Sequence, residues 1–227
     1  MTIGPLDIVI LISGRGSNME AIIDAAHNHR IAVDIRAVIS NEPDAAGLET
    51  AHQAGIDTQA LDHRLFDNRD AFDAALIGLI DRHQPGLVVL AGFMRLLGKP
   101  FVQHYAGRLM NIHPALLPAF PGLNTHERAL AAGVARHGAT VHWVTDDVDA
   151  GPIIIQAAVD VKTGESAPDL AVRVLELEHR IYSKAVGWFA DGRLSIESGN
   201  VLLDGKQQPQ QGLMIEGSSG DGKTETD

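Results

Sequence analysis

The sequence predicts a single α/β domain built on a mostly parallel, twisted sheet with helices on both faces. Continuous apolar runs rich in β-branched residues, such as Leu6 to Ile12 and Leu87 to Ala91, are typical of strands buried on both faces of a parallel sheet. Between these runs apolar residues recur at helical spacing, which is the alternation expected of βαβ units. At 227 residues the chain is long enough for one such domain and its core.

The first unit consists of the strand Leu6 to Ile12, a glycine-containing turn from Ser13 to Asn18, and a helix. Ser17 and Glu20 have the spacing of a capping box at the start of that helix. Glycines let a backbone approach a ligand closely, and the free N–H groups of a first helical turn bind anions. The turn lacks the ending of a P-loop, and Met19 stands where a dinucleotide fingerprint has its third glycine. We therefore interpret it as a monophosphate site rather than an NAD site, with a tight turn of no binding role as the alternative.

Three further elements precede residue 87 and are predicted from apolar spacing and bounding residues: a strand from Ile35 to Ser40, a helix from Ala45 to Ala54, and a helix capped by Asp67 or Asn68 that ends at Pro85. Arg69 lies in the first turn of the last helix, where a cation is unfavourable with the helix dipole. It is either held by a carboxylate or a ligand, or solvated. The loop from Gly92 to Gly98 is apolar apart from Arg95, and such loops usually pack or line a pocket.

The clearest chemical pattern lies between residues 111 and 149. Asn111 and His113 are two residues apart on an extended segment, so their side chains project to the same face, and Pro114 ends the strand. A further strand, Ala139 to Thr145, leads into an acidic loop that ends at Asp149. Because ligands of open α/β sheets bind at the carboxyl ends of strands, we expect these three side chains to face one cleft. The alternative is that Asn111 caps a turn and His113 is a structural histidine.

The C-terminal third is predicted to contain a strand from Pro152 to Val161, the longest helix from Ala167 to Ala190, and a hairpin from Arg193 to Leu203. Glu178 falls on or beside the apolar face of that helix, where a carboxylate is costly unless paired. It is therefore either part of a structural salt bridge or the partner of a cationic ligand. The polar, glycine-rich composition at the end predicts a domain of residues 1–204 and a disordered tail of residues 205–227.

Composition excludes several classes of function. A net charge of -11 disfavours a nucleic-acid partner, which requires a basic face. No apolar run approaches the roughly 20 residues of a membrane span, and the N-terminus lacks the pattern of a signal peptide, so we expect a cytoplasmic protein without a membrane partner. The absence of cysteine excludes thiolate zinc sites, and His126-Glu127 is followed by Leu130 where a helical zinc motif needs histidine, so no metal is expected.

Six motifs in one order resemble the phosphoribosylglycinamide formyltransferase family, the folate-dependent enzymes of purine synthesis, over nearly the whole chain before the tail. The motifs are Ile-Ser-Gly-Arg-Gly-Ser-Asn at 12–18, Leu-Ala-Gly-Phe-Met-Arg at 90–95, Asn-Ile-His-Pro-Ala-Leu-Leu-Pro at 111–118, His-Gly-Ala-Thr-Val-His at 137–142, Asp-Ala-Gly-Pro-Ile-Ile at 149–154 and Glu-His-Arg-Ile-Tyr at 178–182. Their combination is far more specific than any one of them. The chain departs from the family pattern at Ala115, usually Ser or Thr, and at Asn124, commonly histidine.

The resemblance implies a Rossmann-like formyltransferase domain that moves a formyl group from 10-formyltetrahydrofolate to the amine of glycinamide ribonucleotide, without metal, as a monomer or homodimer. It implies the catalytic residues Asn111, His113 and Asp149. It implies ribonucleotide contacts at Gly16, Ser17, Asn18 and Glu178. It implies folate contacts at Arg69, Met94, Arg95, Leu96, Leu97, Asn111, Asp146 and Val148.

In this scheme Asn111 and protonated His113 donate hydrogen bonds to a tetrahedral oxyanion, while Asp149 favours the imidazolium and relays protons. Two alternatives remain open. A formyl-folate hydrolase shares the three catalytic residues but normally carries an extra N-terminal domain. A nucleotide-binding module without catalysis needs only the glycine turn.

Overall fold

The computed structural model describes residues 4–217, and its central element is an eight-stranded sheet beside a small three-stranded one. The strands are β1 Leu6–Ile12, β2 Val33–Ser40, β3 Thr58–Ala60, β4 Leu87–Leu90, β5 Leu109–His113, β6 Arg136–Trp143, β7 Ile153–Asp160, β8 Leu194–Glu197, β9 Asn200–Leu203, β10 Lys206–Gln207 and β11 Leu213–Glu216. The helices are α1 Ser17–His27, α2 Ala46–Gln53, α3 Arg69–Asp81, α4 Lys99–His104, α5 Thr125–Ala131 and α6 Ala167–Ala190, with one 3₁₀ turn at His63–Leu65.

The large sheet has the strand order β11-β7-β6-β5-β4-β1-β2-β3. All neighbouring pairs are parallel except those of β6, which runs antiparallel to both β5 and β7. The prediction of a mostly parallel sheet is confirmed. Leu11 pairs with Leu90, and Leu90 pairs with Asn111. This register places the carboxyl ends of β1, β4 and β5 side by side at one end of the strands.

Apolar residues of the strands alternate between two cores, one on each face of the sheet. Ile8 and Ile10 of β1 pack with α1, α2 and α6, whereas Val9 and Leu11 pack with α3 and α4. Helices on both faces were predicted, and the structure confirms them. No helix among residues 4–217 combines the length and hydropathy that a membrane crossing requires.

The longest helix, α6, fixes the carboxyl ends of the central strands through Tyr182. This side chain is fully buried, and its hydroxyl lies 2.9 Å from the carbonyl oxygen of Leu90 and 3.0 Å from that of Met110. Burial raises the pKa of Tyr182 well above its ordinary value, so the hydroxyl keeps its proton and serves as a donor. The contact holds α6, and with it Glu178, against the strand that carries Asn111.

Two sequence-based predictions are wrong in detail. Ser17 does not cap α1, because it is the first helical residue and Gly16 precedes it with φ 79°, with no side chain capping the helix. The tail beyond residue 204 is ordered as far as the structure describes it. Strand β10 pairs with β9, and β11 joins the edge of the large sheet beside β7, so burial of Leu213 and Ile215 against the core outweighs the polar composition. Residues 218–227 of the predicted tail lie outside the described residues.

Candidate active site

Three polar side chains meet where the motif spacing predicted. Asn111 and His113 lie on β5, and Asp149 lies in the loop after β6. His113 Nδ1 is 3.3 Å from Asp149 Oδ2, and the two side chains are only 6% and 11% exposed. Asp149 Oδ2 also accepts a hydrogen bond of 2.8 Å from the backbone N–H of Gly122. A buried imidazole is therefore paired with a carboxylate that the backbone holds in place.

Asp149 reaches this position by a different route from the expected one. Because β6 is antiparallel, its carboxyl end lies opposite Met110 rather than beside the end of β5. The loop then folds back, with Asp149 in a left-handed conformation at φ 53°. Gly151 is essential to this path, since a Cβ at that position would lie 1.7 Å from the carbonyl oxygen of Trp143. The close approach of two backbone segments brings the carboxylate to His113.

His142 is a fourth member of the cluster that sequence reasoning missed. It faces Asn111 across the antiparallel pair of β5 and β6, and it is buried. His142 Nδ1 lies 3.0 Å from the carbonyl oxygen of Trp143, and His142 Nε2 lies 3.2 Å from Asn111 Nδ2. Because a carbonyl can only accept, Nδ1 carries the proton and Nε2 accepts from the amide.

Burial of His142 disfavours its charged form, which lowers its pKa and keeps the ring neutral. The ring is 3.7 Å from Asp149 Oδ1, too far for a hydrogen bond, so the carboxylate is left to His113. His142 thus fixes the amide of Asn111, one N–H of which points at the ring while the other remains available to a ligand.

His113 differs from the expectation in one respect, because both of its ring nitrogens are already engaged. Its Nε2 lies 2.9 Å from the carbonyl oxygen of Phe120, and its Nδ1 faces Asp149. Both partners are hydrogen-bond acceptors, so neither ring nitrogen of His113 is free for a further partner in the ligand-free protein. His113 can donate to a substrate only after the contact with Phe120 is released.

A fully buried polar network supports the segment that follows His113. Thr140 Oγ1 donates to the carbonyl of Ala115 over 2.6 Å and accepts from the backbone N–H of Leu117 over 3.1 Å. Gln156 Nε2 donates to Thr140 Oγ1 and to the carbonyl of Leu117, at 2.7 and 2.9 Å. The contact at Ala115 uses its backbone, so it does not depend on the serine or threonine that the family usually has there.

The predicted phosphate site is a cavity of about 250 Å³ at the end of β1. It is lined by the turn Ser13 to Asn18 and by Ala91, Gly92 and Met94 from the loop after β4. The turn packs against α2, where Gly47 donates a backbone hydrogen bond of 3.0 Å to Gly14. The cavity therefore has a wall of backbone N–H groups at the start of α1 and a second wall from the loop that contains Met94.

Glu178 and Asn18 form a buried pair beside this turn. Asn18 Nδ2 donates to Glu178 Oε2 over 2.7 Å, and the two residues are each 7% exposed. Burial raises the pKa of Glu178 to about 7, partly opposed by the hydrogen bond from Asn18. Within residues 4–217 no basic side chain forms a salt bridge with Glu178, so the structural salt bridge left open by the sequence is not formed there.

The side chains expected to contact folate lie on two loops and at the start of α3. Met94, Leu96 and Val148 are large apolar side chains that are 70%, 63% and 56% exposed. Asp146 lies 3.3 Å from Lys99 Nζ, which brings the acidic loop beside the start of α4. The two loops therefore form adjacent apolar rims.

The other expected folate residues vary in exposure. Leu97 is partly buried against the core, and the guanidinium of Arg95 stacks 5.5 Å from the ring of Phe72. The side chain of Arg69 is 53% exposed and lies 3.9 Å from Asp70. Arg69 is thus weakly paired and close to solvent, which agrees with the solvated alternative of the sequence analysis.

Comparisons with known proteins agree with these motifs. The chain is 54% identical to phosphoribosylglycinamide formyltransferase from Escherichia coli (strain K12) over 207 residues, which cover 91% of this chain and 98% of that protein. The solved structure of phosphoribosylglycinamide formyltransferase from Coxiella burnetii is 52% identical and superposes with a TM-score of 0.90, covering 93% of this chain and 99% of that one.

A more distant match bears on the hydrolase alternative. A formyltetrahydrofolate deformylase from Pseudomonas syringae has 25% identity and a TM-score of 0.81, and the match covers 88% of this chain but only 66% of that one.

The sequence model of the family described as formyl transferase matches residues 6–186. The chain belongs to the formyl transferase family.

Proposed function

We propose that this protein transfers the formyl group of 10-formyltetrahydrofolate to the amine of 5-phosphoribosylglycinamide, giving formylglycinamide ribonucleotide and tetrahydrofolate in purine biosynthesis. The observation that carries the proposal is that the cluster of Asn111, His113 and Asp149 and the cavity beside the glycine turn both lie at the carboxyl ends of the central strands. Strands β1 and β5 are separated only by β4, so these two sites lie about 10 Å apart, at roughly 4.8 Å for each strand spacing. That span suits a substrate with a phosphate at one end and an amine at the other.

In the proposed reaction the substrate amine is the nucleophile, so no serine or cysteine attacks. The bond from the amine nitrogen to the formyl carbon forms first, and the formyl oxygen becomes an oxyanion. Asn111 donates its free N–H to that oxyanion, in an orientation fixed by His142. The bond from the formyl carbon to N10 of the folate then breaks. One proton leaves the attacking amine and one arrives at N10, and the His113 and Asp149 pair carries this exchange.

His113 takes part only when its Nε2 is free. In the ligand-free protein that nitrogen is held by the carbonyl of Phe120. We propose that this contact is released as the tetrahedral intermediate forms, because the oxyanion is a stronger acceptor than the neutral amide oxygen of Phe120. The same step frees the Nε2 atom of His113 for the reacting group.

Substrate binding uses the two ends of the ribonucleotide. The phosphate lies on the backbone of Gly16, Ser17 and Asn18, and the amine side lies near Glu178. The co-substrate lies between the two apolar rims. Its proposed contacts are Arg69, Met94, Arg95, Leu96, Leu97, Asn111, Asp146 and Val148.

The hydrolase alternative and the non-catalytic module are both less well supported. A hydrolase attacks with water and needs no anchor for a ribonucleotide, whereas this chain has both the cavity and the buried Glu178. A non-catalytic binding module does not account for the buried pair of His113 and Asp149. Mass spectrometry of the ribonucleotide after incubation with 10-formyltetrahydrofolate tests the proposal. We expect the mass of one added formyl group, and an unmodified ribonucleotide would contradict it.

We further propose that the reaction needs no metal and takes place in the cytoplasm, by a monomer or a homodimer. The proposed steps use only protein side chains and the two substrates. Unchanged turnover in the presence of a chelator tests the first point, and light scattering of the purified protein tests the last.

A further inference from the structure

Ser13, directly after β1, connects the phosphate turn to the loop that contains Met94. Its hydroxyl accepts a hydrogen bond of 2.7 Å from the backbone N–H of Met94, 81 residues further along the chain. Its backbone N–H donates to the carbonyl of Gly92 over 3.1 Å. A single residue therefore anchors the first half of the loop from Gly92 to Gly98, which we call the folate loop.

Asn41, at the end of β2, fixes the direction of this hydroxyl. Ser13 Oγ donates to Asn41 Oδ1 over 2.5 Å, and Asn41 is only 3% exposed. The amide of Asn41 is itself oriented, because its Nδ2 lies 3.2 Å from Glu42 Oε1. An amide oxygen can only accept, so the one hydroxyl hydrogen of Ser13 goes to Asn41 and a lone pair is left for Met94.

The connection matters because the phosphate cavity and the folate loop share a wall. Gly92 and Met94 line the cavity together with Gly16 and Ser17. A phosphate bound on the turn thus restrains the segment that begins at Ser13. The restraint passes through one hydroxyl to the backbone of Met94.

We propose that Ser13, oriented by Asn41, is a positioning residue that couples ribonucleotide binding to folate binding by transmitting the order of the phosphate turn to the folate loop. The proposal rests on the proposed function and its two binding sites. Coupling of this kind is reciprocal, so each ligand strengthens the binding of the other by the same factor. Ser13 does this without touching the reacting atoms.

The other end of the folate loop provides a matched control. Asp73 on α3 is 3% exposed, and its Oδ2 accepts a hydrogen bond of 2.6 Å from the backbone N–H of Gly98. Loss of this contact loosens the same loop by one hydrogen bond. It does so on the side away from the phosphate turn, so it weakens folate binding without breaking the connection through Ser13.

The test is calorimetry with glycinamide ribonucleotide and with tetrahydrofolate, which carries no formyl group and cannot react. Each ligand is titrated alone and in the presence of the other, with the native protein and with Ser13→Ala, Ser13→Thr and Asp73→Ala. We expect the native protein to show a coupling factor of about fivefold or more. Ser13→Ala should still bind both ligands, but with a coupling factor near one. Ser13→Thr keeps the hydroxyl and should restore the native coupling factor. Asp73→Ala should lose about fivefold in folate affinity and keep the coupling.

A native coupling factor in Ser13→Ala would overturn the role of Ser13, as would an equal loss of coupling in Asp73→Ala. Absence of coupling in the native protein would overturn it as well. These results leave the proposed function intact. Failure of the native protein to bind either ligand would instead overturn the proposed function.

Discussion

Replacing Glu178 by glutamine should stabilise the protein at alkaline pH and weaken its binding of ribonucleotide. Burial raises the pKa of this carboxyl from 4.5 to about 7, so the folded protein holds a proton that the unfolded chain releases. The stability that this group contributes is complete below pH 4.5 and is lost as the pH rises through about 7. Glutamine keeps an acceptor for Asn18 and cannot ionise.

The magnitude follows from the shift in pKa. The rise in pKa from 4.5 to about 7, at about 1.4 kcal/mol for each pH unit, corresponds to between about 3 and 4 kcal/mol in the free energy of unfolding above pH 8. Below pH 4.5 the two proteins should be equally stable. A buried carboxylate retained at this cost indicates a functional role, since a charged partner such as a substrate amine offsets the desolvation.

Urea unfolding of native protein and Glu178→Gln at pH 5 and pH 8 measures the effect. Glu176→Gln on the exposed side of the same helix is the matched control and should change stability little at either pH. Equal stability of native protein and Glu178→Gln at pH 8, or a difference that does not depend on pH, would refute this reasoning. Unchanged ribonucleotide affinity in the variant would remove Glu178 from the binding site.

Three further substitutions test separate parts of the site. Ser17→Asp should weaken ribonucleotide binding more than folate binding, because a fixed negative charge repels the phosphate; calorimetry that shows equal losses, with Ser17→Asn as control, would contradict the phosphate site. Asp149→Asn should lower turnover by about a hundredfold or more while substrate affinity changes less, since the amide cannot carry the proton; steady-state kinetics that show near-native turnover would disprove its role. Thr140→Val should lower the free energy of unfolding by about 3 kcal/mol, because it removes the acceptor of the buried Leu117 N–H, the donor to the Ala115 carbonyl and one of the two acceptors of the Gln156 amide; a native urea midpoint would show that the network adds no stability.

The sequence predicts the placement of the candidate site residues well where the signal is local. A spacing of two residues on an extended segment places the side chains of Asn111 and His113 on one face, and the structure confirms this placement. Apolar periodicity also predicts α6 with its bounds, because a 24-residue amphipathic helix carries a strong pattern.

Features that depend on strand pairing were not predictable. Strand β6 is buried on both faces from His137 to Trp143, so its burial pattern does not reveal that it runs antiparallel. The role of His142 follows only from that register, which sets it opposite Asn111. Strand β11 has four residues in a polar segment, and it is ordered by pairing with β7 rather than by its own composition. The contacts of Ser13 with Asn41 and Met94 likewise join residues distant in the chain.

The most direct test of the central claim is the conversion of 10-formyltetrahydrofolate followed by ultraviolet absorbance, with and without glycinamide ribonucleotide. Water and the substrate amine compete for the same formyl carbon beside Asn111 and His113. A bound amine reaches an effective concentration that water cannot match, so conversion should be at least about a thousandfold faster with the ribonucleotide than without it. Release of formate at a comparable rate in the absence of the ribonucleotide would contradict a transferase and favour a hydrolase.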